Sequence, residues 1–327
     1  YLIIKENYLK RKKQKKYVSL ANARANKFKL DPNLCYRQSP KKIGITIFDS
    51  IDISNVINYI DWTPFFISWE MKGKYPNILS NQKYGNDAKK LLDDAHNMLL
   101  EIQKKDWLKL KAIIGIWNAE NKGDDIVLLE NGKNIERFNF LRQQLKTSKH
   151  NLCLADYIDN EDYMGVFVCT AGIDIENQLN VFKKDLDDYN SILLKSLADR
   201  LVEALTEYIH EKVRKEIWGY SSVENYNNDD LIKEKYNGIR PAPGYTACPD
   251  HTEKIKIFKI LNAERIGVSL TENMSMYPNA TISGYYFSYP ESKYFSIGKI
   301  QDDQLADYAK RKNMTLNEAE KWLRSNI

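Results

Sequence analysis

The chain has 327 residues, 43% hydrophobic and 12% aromatic, enough to bury the core of one large domain or two smaller ones. It contains no apolar run of the roughly 18 to 20 residues that a membrane-crossing helix requires, and its basic start lacks the apolar segment and cleavage site of a signal peptide. Of its formal charge of +5, residues 1–30 supply ten Lys or Arg against one acid, leaving the remainder at about −4. That distribution argues against a nucleic-acid-binding body, and a cytoplasmic protein without membrane contact is expected.

In chain order, residues 1–30 read as a basic, solvated helical linker, and a chain that opens at Tyr1 in helical pattern reads as part of a longer protein. Asp31-Pro32 and Ser39-Pro40 mark entry to a globular unit over 31–327. Gly44 to Asp49 has strand character, and Asp61 precedes Trp62, Phe65, Phe66 and Trp69, a spacing that stripes one helical face. A helix is predicted over 86–106. Strands follow at Ala112–Trp117 and Asp125–Leu129 around an Asn121-Lys122-Gly123 turn, then at Cys153–Ala155 and Gly165–Gly172. The longest helix signal runs from Leu186 to Trp218, with acids at its start and Arg214 and Lys215 at its end, as the helix dipole favours. After a proline-rich loop come a helix over 252–264, strands at Thr281–Phe287 and Tyr294–Ile300, and helices at 302–311 and 316–323, the last capped by Thr315. Strands and helices mix without steady alternation. The expected class is α+β, a single large domain with a mainly antiparallel twisted sheet flanked by helices.

Much familiar chemistry is missing. No two glycines are spaced as Gly-x-Gly, which excludes a Rossmann fingerprint and a phosphate-binding loop. No metalloprotease, serine hydrolase or kinase signature occurs, and Asp94-Ala-His96 lacks the glycine of a corrinoid-binding motif because residue 99 is Leu. The scattered Cys35, Cys153, Cys169 and Cys248 suit reduced thiols. Cys248-Pro-Asp-His251 supplies two ligands where a structural zinc takes four, so no metal site and no catalytic nucleophile are expected.

What stands out is Arg240-Pro-Ala-Pro-Gly-Tyr-Thr-Ala-Cys-Pro249, a stiff strip with three of the nine prolines beside a guanidinium and a phenol. Such a loop serves either as a structural turn or as a preformed wall for a small ligand bearing a carboxylate. Asp61 reads as a helix cap or as an anion for an ammonium group, and Tyr294 as an ordinary strand aromatic or a ring contact. Asp199, Arg200 and Glu203 share one face of the long helix, either as a solvated ion-pair row or, with Glu234, as the mouth of a cleft or an interface to another domain.

This loop, together with Ile60–Trp69, Phe140–Gln144, Leu197–Ala204, Gly284–Ser288 and Ser292–Tyr294, resembles the C-terminal S-adenosylmethionine-binding activation domain of cobalamin-dependent methionine synthase, from about residue 40 to the end. The resemblance implies that Arg240 holds the methionine carboxylate, that Ala242 and Tyr245 line the pocket and that Asp61 holds the α-amino group. Tyr294 and Phe295 would lie on the adenosine side, with Phe295 where the family often has a second tyrosine. It further implies a methyltransferase that makes methionine from homocysteine and methyltetrahydrofolate, in which this domain supplies the S-adenosylmethionine methyl group for reductive methylation of cob(II)alamin. Residues 1–30 would then lead from a preceding cobalamin-binding domain, cobalamin and any zinc would be held by other domains, and a flavodoxin or flavodoxin-like reductase would bring the electron. The fragment alone would bind and not turn over. A docking module for that donor, with a vestigial ligand site, is the alternative.

Overall fold

The computed structural model describes residues 16–31, 33–34 and 38–327. Its centre is a six-stranded sheet in which every pairing is antiparallel. The long strand β2 (Lys109–Lys122) has β5 (Asp162–Ile173) along one edge. Its other edge is shared between β1 (Gly44–Ile51) and β3 (Asp125–Glu130), after which come β4 (Lys133–Asn139) beside β3 and β8 (Thr281–Tyr286) beside β5. A small pair, β6 (Ser269–Leu270) and β7 (Met276–Tyr277), stands apart.

The sheet is buried on both faces, which explains why β2 and β5 read as apolar runs. Alternation still sorts the side chains. Ala112, Ile114 and Ile116 of β2 join one core with helices α2 (Trp62–Ser68), α3 (Gly85–Lys105), α4 (Ile175–Lys184) and α5 (Asp188–Lys212). Ile113, Trp117 and Ala119 join the other, with α7 (Glu253–Leu261), α8 (Asp302–Lys312) and α9 (Leu316–Leu323). This is the mixed, mainly antiparallel, helix-flanked fold expected, without the parallel sheet of a Rossmann domain.

Several elements differ from the sequence reading, each for a local reason. Asn131-Gly132, with φ of 52° and 74°, turns β3 into β4, a hairpin the reading passed over. Cys153–Ala155 is no strand. Leu154–Tyr157 forms a 3-10 turn because Asp156 accepts from the Cys153 N–H at 3.1 Å and takes two 2.7 Å bonds from the buried Arg142 guanidinium. Tyr294–Ile300 is no strand either. The outer edge of β8 is already taken by the proline loop, where Ile239 exchanges two hydrogen bonds with Phe287 and the Pro241 carbonyl accepts from the Tyr285 N–H at 2.9 Å. The later segment therefore pairs with the loop itself, Ile297 N–H donating to the Thr246 carbonyl at 2.9 Å. The long helix gives way at Val213 to a π turn (Val213–Ile217).

Residues 1–15 of the expected linker lie outside the described residues, as does Cys35. From Tyr17 onward the segment is folded onto the body, which corrects the expectation of a solvated arm for that part. Tyr17 bridges to Leu145, helix α1 (Leu20–Ala25) buries Leu20 and Ala23, and Arg24 reaches Asp124 and Asp307 at 2.7 Å each. The β2–β3 turn and α8 present these two carboxylates, which Arg24 shares with Arg142 and Arg311 respectively.

Gly284 lets the proline loop lie against β8, since a Cβ there would stand 2.6 Å from the Pro241 carbonyl and 2.9 Å from the Phe167 ring. Gly284→Ala is expected to cost about 1–3 kcal/mol in urea denaturation by forcing loop and ring apart. An unchanged midpoint would show that the loop yields freely.

Candidate functional site

The proline loop, α5 and the start of α2 enclose two adjoining chambers of about 250 and 230 Å³. Glu203, Glu234 and Arg240 line both and form their common boundary. Asp61 and Arg200 belong to the first; Ala242, Tyr245 and Tyr294 belong to the second. Residues as far apart in the chain as Asp61 and Tyr294 thus line adjoining chambers, because α5 crosses the sheet beneath a loop that extends the edge of β8.

Each side chain is held by local chemistry. Asp61 caps α2, its Oδ1 accepting from the Thr63 N–H at 2.9 Å, so it is both a helix cap and a cavity wall. A carboxylate has lone pairs beyond that one bond. Glu203 lies on the outer face of α5, one turn before Glu207. Short helix α6 (Asn228–Ile232) is followed by Glu234, whose φ of 52° is the left-handed conformation uncommon for a side-chain-bearing residue. The Arg240 N–H donates to the Tyr294 hydroxyl at 3.0 Å, tying the start of the loop to the segment after Tyr289-Pro290.

Two residues of the sequence reading lie elsewhere. Phe295 lines neither chamber; it is buried in the second core with its ring edge-on to Tyr157 at 6.4 Å. Asp199 also lines neither chamber and is exposed, although partial burial raises its pKa against the opposing pull of Arg200. Neighbouring side chains on a strand or helix point to different places, which spacing alone reveals only when the facing element is known.

Reasoning from sequence missed the support behind Arg240. Its Nη1 donates to Glu207 Oε2 and to the Tyr236 hydroxyl at 2.6 Å each, and lies 3.4 Å from His210 Nδ1. His210 is fully buried, stacked on Tyr286 with ring centroids 5.2 Å apart and met edge-on by Tyr236 at 5.0 Å. Burial first, then the charges of Arg214 and Arg240, hold its pKa well below the usual histidine value, so it is neutral at physiological pH. Its Nδ1 lies beside Arg240 Nη1, whose two hydrogens go to Glu207 and Tyr236, while Nε2 faces the Tyr220 hydroxyl at 3.4 Å. Glu203, Glu207, His210 and Arg214 recur at intervals of four, three and four along α5 and into the π turn. That signal was legible.

Burial raises the Arg240 environment's electrostatic stakes: desolvation opposes its charge, but Glu207, Tyr236 and Tyr294 outweigh it and its pKa is raised. Glu234 is raised by burial against the pull of Arg240. Taken together the chambers present four carboxylates, Asp61, Glu203, Glu207 and Glu234, and two guanidiniums, Arg200 and Arg240. Tyr245 and Tyr294 add aromatic faces to the second chamber. Such a wall suits a ligand with more than one cationic group, one anionic group and an aromatic ring.

A family model described as the activation domain of vitamin B12 dependent methionine synthase matches residues 52–313. Among solved structures the chain is similar to the MetH reactivation domain bound to AdoHcy. The two are 43% identical, with 95% of this chain and 98% of that one covered and a TM-score of 0.92.

His210 carries a pH signature. Its folded-state pKa lies below the unfolded value near 6.5, so the unfolded chain binds the extra proton and stability falls as pH drops below about 6.5. In urea titrations, wild type minus His210→Gln is expected to lose up to about 1.4 kcal/mol per pH unit between pH 6.5 and the folded-state pKa. A difference that stays flat with pH would show that His210 charges as readily folded as unfolded.

Proposed function

The chain belongs to the family of vitamin B12-dependent methionine synthase activation domains, and from that we propose that its double chamber binds S-adenosylmethionine as the methyl donor for reactivating the cobalamin of the synthase. The observation that carries the proposal is the charge set around Arg240. At neutral pH the ligand has a carboxylate, an ammonium and a sulfonium, which call for one guanidinium and several carboxylates in one cleft.

In this reading the first chamber takes the amino-acid end, with Asp61 accepting from the ammonium and Arg240 donating to the carboxylate. Ala242, Tyr245 and Tyr294 receive the nucleoside, where ring faces can stack on adenine. Glu203 and Glu234, on the boundary between chambers, face the sulfonium between those ends. A relative 43% identical was solved with AdoHcy bound, the demethylated product of this donor, which supports the assignment.

When bound, S-adenosylmethionine supplies an electrophilic methyl group for reductive methylation of cob(II)alamin, with one electron from a separate donor. The residues here bind and orient. Holding the donor at both ends fixes where its sulfonium points, which is how an entropy cost is met before reaction. No proton has to move in such a transfer, and this accords with chambers lined by no histidine among the described residues and with a His210 behind Arg240 that is neutral. Other domains of the same polypeptide hold cobalamin and any zinc, residues 1–30 lead from the cobalamin-binding domain, and a flavodoxin or flavodoxin-like reductase delivers the electron. The full-length protein would be a cytoplasmic methyltransferase; among the described residues no helix is long and apolar enough to cross a membrane.

Isothermal titration with S-adenosylmethionine tests the assignment. Binding is expected, weakened at least about 30-fold (~2 kcal/mol) by Arg240→Ala, which strands a carboxylate. Asp61→Asn keeps the helix cap and removes the charge, so about a tenfold loss without loss of stability is expected. Absence of heat with wild-type protein would sink the assignment.

A further inference from the structure

A row of alternating charges runs from the loop before α6 to the cavity. Glu224 accepts from Arg214 Nε at 2.8 and 3.1 Å, and Arg214 Nη1 reaches Glu207 Oε1 at 3.4 Å. The other oxygen of Glu207 accepts from Arg240 Nη1 at 2.6 Å. Side-chain exposure is 6% for Glu224, 0% for Arg214, 9% for Glu207 and 18% for Arg240, rising towards the first chamber, which Glu207 and Arg240 both line. Tyr236 fills the corner: its hydroxyl accepts from Arg240 Nη1 at 2.6 Å and donates to Glu207 Oε2 at 3.4 Å, and its ring lies 4.0 Å from the Arg214 guanidinium.

Among the described residues, the hydrogen bonds of the Arg240 guanidinium all fall on Nη1. Nε and Nη2 form the edge that grips a carboxylate with two parallel bonds. A counter-ion beside an arginine would ordinarily blunt its pull on a second anion. Here Glu207 is shared, because Arg214 draws on its other oxygen, so its one charge is divided between two guanidiniums. An arginine already pinned also gives up less rotamer entropy when a ligand arrives.

Resting on the ligand reading above, we propose that Glu207 is a positioning residue for the donor's carboxylate: with Tyr236 it occupies Nη1 of Arg240 and so reserves Nε and Nη2 for the ligand. Glu207 does not touch the ligand carboxylate in this arrangement; it acts through Arg240.

The test compares S-adenosylmethionine with its decarboxylated analogue, which keeps the sulfonium and the amine and lacks only the carboxylate, on wild type, Glu207→Gln and Tyr236→Phe. Wild type is expected to prefer the intact ligand. Glu207→Gln should weaken the intact ligand about tenfold or more while changing the analogue less than about twofold, and Tyr236→Phe should give a smaller loss of the same selective kind. Equal losses for both ligands, or none, overturn the proposal, since a role confined to holding Arg214 in the core would not discriminate between them. Should Glu207→Gln fail to fold, Tyr236→Phe, which keeps every charge, decides by the same comparison. Wild-type protein that binds neither ligand overturns the ligand reading itself, and this inference with it.

Discussion

The hydrogen bond from the Tyr285 N–H to the Pro241 carbonyl, made across Gly284, is the constraint on which the site depends. It fastens the proline loop to the outer edge of β8 and so stops the sheet from accepting another strand there. Proline suits this place because it can present a carbonyl to the sheet while lacking an N–H that would need a partner on the other side. Once the loop is fixed, Arg240 stands between β8 and α5, and its position no longer depends on a flexible turn. The later segment that carries Tyr294 is then left to pair with the loop, which brings the Tyr294 hydroxyl onto the Arg240 N–H.

Around that junction the protein places buried charge with care. Glu207, Arg214 and Glu224 are each costly to remove from water singly, and each has an opposite neighbour. His210 sits among them neutral, first because it is buried and then because the two guanidiniums nearby disfavour a third cation. A second buried set, Arg142 with Asp124 and Asp156, lies on the other side of the sheet and joins the N-terminal helix to the body through Arg24. The first set faces a cavity and the second faces packed protein. That difference separates a site from a strut, although both look alike as lists of Arg and Asp or Glu in the sequence.

Much of the fold was legible where local chemistry was decisive. The apolar stripes of α3 and α5, the capping box of α9 at Thr315 and the apolar runs of β2 and β5 announced themselves through periodicity and caps. The β3–β4 hairpin was legible too, in Asn131-Gly132, and went unread. Cys153–Ala155 and Tyr294–Ile300 were not legible, since their conformations are set by Arg142 in one case and by an occupied sheet edge in the other. Similarly, the resemblance named Phe295 beside Tyr294, yet the fold turns the two rings in opposite senses, one to a chamber and one to the core.

By itself the sequence determined the inventory: a stiff Arg-Pro-Ala-Pro-Gly-Tyr loop, an acid able to cap the helix at Trp62, a long amphipathic helix, and motifs specific enough to indicate the family. Only the tertiary structure decided which of those groups share a cavity. It drew Asp61, Arg200, Glu203, Glu234 and Arg240 together, left Asp199 and Phe295 outside, and put Glu207 and His210 behind the arginine. The reason is physical. Spacing fixes the face of an element on which a residue lies, whereas its partners depend on the element packed opposite, and that is settled by burial over the whole chain.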